Sequence, residues 1–164
     1  MAASEQLSPL ITEDAIAYRE ALPDGGVLLG LDLGTKTIGT ALCDAQWSFA
    51  TAAKTLPKGK FGRDKEALGA ICQARSVAGL VLGLPLNMDG SAGPRAQASR
   101  SFARNLAVLG LPVLLWDERW STTSAERDLI AQDFSRAKRA ERIDSHAAAV
   151  ILQGAIDRLA GGVF

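Results

Sequence analysis

Val27-Leu28-Leu29-Gly30-Leu31-Asp32-Leu33 runs directly into Gly34-Thr35-Lys36-Thr37, and this stretch decides how the chain is read. Seven residues, six of them apolar or glycine, describe a strand buried on both faces, closed by a short polar turn. Asp32 is the exception. A carboxylate inside such a strand is costly unless a cation or hydrogen bonds hold its charge, so Asp32 reads as a ligand, most simply for a metal ion.

Working outward, Thr37 to Cys43 is a second β-compatible segment and about Ser48 to Thr55 a third, joined by the turn Asp44-Ala45-Gln46. Short turns between successive strands make an antiparallel meander. The rhythm then changes. Arg63 to Arg75 has helical periodicity, Gly79 to Leu84 reads as a buried parallel strand, and Pro94 opens a helix to about Leu109 with Gly110 as its stop. Val113 to Trp116 is a further buried strand. A helix is expected from about Thr123 to Gln132, on a capping-box spacing Thr123-Ser124-Ala125-Glu126, followed by a basic loop. Asp144 is expected to begin a last, alanine-rich helix to about Leu159. This order implies an α/β fold: a mixed five-stranded sheet, three strands antiparallel and then parallel ones, flanked by helices. Residues 1–26, acidic and carrying Pro9, Pro23 and Gly25-Gly26, read as an extension ahead of a domain at 27–160, with a short helix at Glu13 to Leu22.

The 164 residues suit one domain, with 48% hydrophobic and 22% charged residues. No apolar run approaches the roughly 18 residues of a membrane span, and the early charges are acidic rather than those of a signal peptide. A cytoplasmic protein without a membrane partner is expected. Cys43 and Cys72 form no metal-type cluster and read as packing residues. Net charge is zero, but it is unevenly spread. Residues 1–26 hold five acids and one base, leaving 17 bases and 13 acids for the remainder, a net of +4. Lys54, Lys58, Lys60, Arg63 and Lys65 form one basic cluster; Arg136, Lys138, Arg139 and Arg142 form another. Either can contact phosphates or simply face solvent.

Sites in sheets with parallel strands gather beyond the carboxyl ends of those strands. Asp32 lies near one such end, Glu118 just beyond another, and Asp144 at the expected start of a helix able to cross the sheet. Three converging acids repel one another unless divalent cations neutralise them, and all-oxygen ligands favour Mg²⁺ or Mn²⁺. Two such ions about 3.5–4 Å apart serve phosphodiester hydrolysis. Simpler roles exist for two of the acids: Asp144 as a helix N-cap, and Asp117 or Glu118 as an ion-pair partner of Arg119. The loop from Gly83-Leu84-Pro85 to Gly90-Ser91-Ala92-Gly93-Pro94 can receive a phosphate, or be only a strand-to-helix connection. His146, the sole histidine, reads as a partly exposed bystander, and Trp116 as core.

Gly30 to Ala41, Gly83-Leu84-Pro85-Leu86-Asn87-Met88-Asp89-Gly90-Ser91, Asp117-Glu118-Arg119 and Ile143 to Gln153 resemble, in order, the motifs of the YqgF/RuvX family. These are bacterial proteins described as Holliday-junction resolvases or pre-16S rRNA nucleases. The resemblance runs from about residue 28 to 159 and implies an RNase H-like fold with metal-dependent phosphodiesterase chemistry. It makes Asp32, Glu118 and Asp144 the catalytic metal ligands, for a pair of Mg²⁺ or Mn²⁺ ions. Lys36, Asn87, Arg95, Arg119, Arg136, Lys138 and Arg139 become the candidate nucleic-acid contacts. The family often has arginine where this chain has Thr37, which removes one phosphate contact. The activity implied is 5′-end maturation of pre-16S rRNA, with ribosomal particles as partners and either a monomer or a homodimer. Resolution of DNA junctions is the alternative. A non-catalytic RNA-binding module is a rival of another class, as is an actin-like ATPase, although such an ATPase needs two lobes.

Overall fold

The computed structural model describes residues 9–120 and 136–161, without the side chains of Trp120 and 136–144. Strands β2 (Leu28–Leu33), β3 (Thr37–Cys43) and β4 (Ala50–Ala52) form the antiparallel meander, and β6 (Gly79–Leu84) and β7 (Val113–Asp117) continue the sheet in parallel on the other side of β2. The mixed α/β sheet expected from the sequence is therefore present. Two short strands enlarge it. β1 (Ile11–Thr12) pairs in parallel with β7, and β5 (Leu56–Pro57) pairs with the start of β3.

The expected third strand, Ser48 to Thr55, is shorter at both ends. The Asp44 carboxylate accepts from the backbone N–H groups of Ser48 and Phe49 at 2.9 and 2.8 Å, which commits those residues to the turn. Helix α1 (Ala15–Ala21) is capped by Asp14, whose side chain accepts from Ile16 N, and it buries Tyr18 completely. Residues 11–22 thus pair with and pack on the rest of the chain. Helices α2 (Phe61–Arg75) and α3 (Pro94–Leu106) follow β5 and β6, and a 3-10 turn at Ala107–Leu109 ends at Gly110, whose φ of 74° is the left-handed conformation of a glycine stop.

The last helix, α4 (Arg136–Gly161), corrects the sequence reading. Its backbone is helical from Arg136, so the basic segment is helix rather than loop, and Asp144 is interior rather than an N-cap. Alanine, lysine, arginine and glutamate are all strong helix formers, so charge alone did not mark a loop here. The expected helix at Thr123 to Gln132 lies outside the described residues.

Strand alternation sorts the core into two layers. Leu29, Leu31, Leu80, Leu82 and Val113 face α2 and α3, whereas Leu28, Val81 and Leu114 face α4 and α1. Each fully buried leucine contributes roughly 1.5–3 kcal/mol. On the α4 side the helix comes unusually near. A Cβ on Gly30 would lie 2.7 Å from Leu152 Cβ and 3.0 Å from the Ala148 carbonyl oxygen. Glycine in β2 and alanine in α4 together allow this approach, and it carries the helix across the end of β2 where Asp32 sits.

Candidate active site

Asp32 shares the α4-facing side of β2 with Gly30 and is only 3% exposed. Its neighbours across the sheet have no side chains. Asp32 is the register partner of Gly39 on β3, and the pairing of Leu31 with Leu82 sets Asp32 beside Gly83 on β6. A carboxylate flanked by glycine on both adjoining strands, each about 4.8 Å away, sits in a trough of bare backbone.

Glu118 fills one side of that trough. It opens the 3-10 turn Glu118–Trp120 immediately after β7, and its carboxylate folds back over β6. A Cβ on Gly83 would meet Glu118 Oε2 at 3.0 Å and Glu118 Cδ at 3.2 Å. Glu118 is thus one strand spacing from Asp32 on the same face, as its place beyond a parallel strand suggested. Asp144 lies one helical turn ahead of Ala148 in α4, but its carboxylate is outside the described residues. Among the described residues no cluster of three acids, histidines or cysteines is formed. A hydrogen bond between Thr55 Oγ1 and Ser145 Oγ fastens the adjoining turn of α4 to the sheet.

The neighbouring acid has a different fate. Asp117 ends β7 on the opposite side, and its carboxylate accepts from Arg119 Nη2 at 2.7 Å, Arg119 Nε at 3.1 Å and Arg119 N at 3.0 Å. Burial pushes the Asp117 carboxyl up, but the hydrogen bonds and charge of Arg119 outweigh it and hold the group below the usual aspartate range. The ion-pair reading of Arg119 therefore holds for Asp117. Arg119 also donates from Nη1 to the Met88 carbonyl at 3.3 Å, tying the end of β7 to the loop after β6.

That loop is a built turn. Asn87 N donates to Ser91 O at 2.9 Å, Gly90 N to Asn87 O at 2.8 Å, and Asn87 Nδ2 to Ser91 Oγ at 3.0 Å. Gly90, at φ 87°, supplies the one left-handed residue the turn needs. Asn87, proposed from the sequence as a nucleic-acid contact, here also closes the turn. Asp89 accepts from Ser91 Oγ and N, which lowers its pKa.

Arg95 reaches back to the site: its Nη2 donates to the carbonyl of Leu33, the residue after Asp32, at 3.4 Å. Lys36 is exposed in the turn between β2 and β3. The side chains of Arg136, Lys138 and Arg139 lie outside the described residues. His146 is partly exposed in α4, and Trp116 packs its indole against Gly154 of that helix, as a core residue does. Two contributions escaped the sequence reading, the glycines beside Asp32 and the Thr55–Ser145 fastening. Glycine recurring inside strands was the available signal for the first. The second, spanning 90 residues, left no local trace.

Known proteins share both the sequence and the fold. The family model described as "RuvX: Holliday junction resolvase" matches residues 26–158. A protein of Novosphingobium aromaticivorans named "Putative pre-16S rRNA nuclease" is 64% identical over 155 residues, 94% of this chain and all of the relative. One of Sphingopyxis alaskensis with the same name is 65% identical over 150 residues, covering 92% and 99% of the two chains. Among solved structures, Thermus thermophilus RuvC in complex with a Holliday junction substrate aligns over 84% of this chain and 97% of its own, with a TM-score of 0.52 at 13% identity. That likeness concerns the fold, which is that of the RuvC-like resolvases.

Proposed function

The chain belongs to the RuvX family, and from that premise we propose that it is a metal-dependent nuclease whose substrate is the 5′ region of pre-16S rRNA. One observation carries the catalytic part. Glu118 lies over Gly83, beside the buried Asp32, in a space that glycines on β3 and β6 leave open. Two carboxylates brought this close within apolar surroundings repel each other, and a divalent cation relieves that cost.

The donor set fits a hard cation. Asp32 and Glu118 offer only oxygen, and Asp144, one turn from Ala148 on the helix that crosses this face, is proposed as the third ligand; Mg²⁺ or Mn²⁺ is the proposed ion. When bound, such ions lower the pKa of water and neutralise charge building on a phosphate. The chain's own residues do the rest. Asp32 is held in a strand buried along its whole length, so its carboxylate has little freedom to swing. Arg119, locked by Asp117, steadies the Asn87–Ser91 turn that follows β6. Lys36 and Arg95 place positive charge where a phosphodiester strand would approach.

Preference for an rRNA precursor over a DNA junction rests on the names of relatives that match nearly the whole chain. The RuvC likeness carries only the fold. The test is Mg²⁺- or Mn²⁺-dependent cleavage of precursor rRNA 5′ ends and of four-way junctions by the wild-type protein. Trimming of the rRNA substrate is expected. Cleavage of the junction alone would replace the substrate, and a folded, metal-supplied protein that cuts neither would favour a binding module.

A further inference from the structure

We propose that Lys36, Lys58 and Arg95 form a phosphate-binding strip along the carboxyl edge of the sheet, which guides the strand to be cut toward Asp32. This rests on the nuclease reading for its ligand, a phosphodiester backbone. Lys58 lies outside the motifs of the family resemblance; the sequence offered it only as one of a basic cluster, and the fold sets it beside Lys36.

The three cations come from three separate elements. Pro57 of β5 pairs with Thr37 of β3, and Lys58 N then donates to the Lys36 carbonyl at 2.9 Å, so the two lysines are pinned side by side at backbone level. Arg95, in the first turn of α3, anchors on the Leu33 carbonyl. All three residues are exposed.

Among the described residues none of the three is ion-paired, whereas Arg100 pairs with Glu13 and Arg119 with Asp117. Asp64, the acid lining the same hollow as Leu33 and Lys58, is 4% exposed and accepts from Gly59 N at 3.0 Å, holding the 58–60 loop in shape. Like charges gathered from distant elements cost stability unless an anion meets them.

Strand register places the strip relative to the acids. Asp32 pairs with Gly39, Leu33 with Ile38 and Ile38 with Leu56, Thr37 with Pro57, and Lys36 meets Lys58 one step later. Three strand steps of roughly 3.3 Å put the lysine pair about 10 Å from the Asp32 row. Arg95 lies between. Lysines act as point charges and arginine as a forked donor, a combination that tracks a backbone without reading bases.

The experiment compares Asp32→Asn protein with the same protein also carrying Lys36→Gln, Lys58→Gln and Arg95→Gln. Binding of a short labelled single-stranded RNA is followed across a salt series. Losing three contacts at about 0.7 each should lower the slope of log affinity against log salt by roughly 2, and weaken binding about 100-fold at ~0.1 M salt. Arg75→Gln with Arg104→Gln, in the last turns of α2 and α3 at the opposite end of the sheet, serves as control and should leave the slope unchanged. Equal melting temperatures establish that all forms fold. Parallel salt slopes for the triple variant, or the same loss in the control, would overturn the strip. Cleavage by the wild type is scored separately. If it cuts and the triple variant binds as before, the strip fails and the nuclease stands. Binding that depends on the three charges, without any cleavage, keeps the strip and removes the nuclease.

Discussion

Gly83→Ala adds one methyl group at the most crowded point of the site. The new Cβ would lie 2.6 Å from Ile151 Cδ1, 3.0 Å from Glu118 Oε2 and 3.2 Å from Glu118 Cδ. Restoring a 3.4 Å contact requires Ile151 to retreat by about 0.8 Å and the Glu118 carboxylate by a few tenths of an ångström. Ile151 is fully buried against the sheet, so its retreat disturbs packing. Overpacking of this kind costs about 1–3 kcal/mol, against the ~0.4–1 kcal/mol that alanine gains over glycine through the unfolded chain. The net is a loss of about 1–2 kcal/mol, or roughly 2–8 °C in melting temperature for a chain of this size. Cleavage should suffer more than stability, because misplacing a reacting group by ~1 Å can cost on the order of 10²-fold. We expect about a tenfold fall in the single-turnover rate, measured well below the melting transition. Gly69→Ala is the counterpart: its Cβ would meet only Leu109 Cδ2, at an ordinary 3.6 Å, inside α2. It should leave cleavage unchanged and raise stability by up to ~1 kcal/mol. A Gly83→Ala protein that melts and cuts like the wild type would show that Glu118 does not lie over this strand.

Other consequences are open to simple measurement. Asp117 has a folded-state pKa below its ordinary value, so its stabilising effect is complete above about pH 3.9 and is lost as pH falls through the folded value. The melting-temperature gap between wild type and Asp117→Asn should therefore be steady near neutrality and close in acid; a gap that persists at the lowest pH contradicts the Arg119 pairing. Tyr18 Oη is buried and, among the described residues, has no hydrogen-bond partner. Since an unsatisfied buried hydroxyl costs about 1–3 kcal/mol, Tyr18→Phe should melt at the wild-type temperature or a few degrees above it, and a clear fall would reveal a missing partner. Deleting residues 1–26 removes Tyr18 from the core and uncovers the edge of β7. A loss of at least ~3–5 kcal/mol is expected on the scale of large aromatic truncations. A truncated chain as stable as the whole would make this segment dispensable.

The parts of the fold that were legible are those whose local pattern has one solution. β3 begins and ends at Thr37 and Cys43 as read, and β6 at Gly79 and Leu84, because polar turns bound short apolar runs there. Glu118 was legible as an acid just past a parallel strand. What separates the two adjacent acids was not legible: β7 extends to Asp117, which turns that residue to Arg119, and Glu118 folds over Gly83. The start of α4 was misplaced because a run of Arg, Lys, Glu and Ala satisfies both a solvated loop and a good helix. β1 was invisible for another reason. Two residues carry no periodicity, and Ile11 and Thr12 become a strand only by pairing with Val113 and Leu114, far along the chain. The basic strip shares that origin: Lys36 and Lys58 are distant in sequence and adjacent only through β3 and β5.

That Asp32 holds a metal ion is open to test by thermal melting. Wild type and Asp32→Asn are melted with and without Mg²⁺ or Mn²⁺, alongside cleavage of the rRNA precursor. A ligand at about 100 times its dissociation constant stabilises by ~2.7 kcal/mol, so wild type should gain several degrees on metal addition. Asp32→Asn should melt no lower than the metal-free wild type, gain almost nothing from metal, and lose at least ~100-fold in cleavage. An asparagine variant that keeps both the metal-dependent stabilisation and the cleavage would contradict the metal-holding role of Asp32 outright.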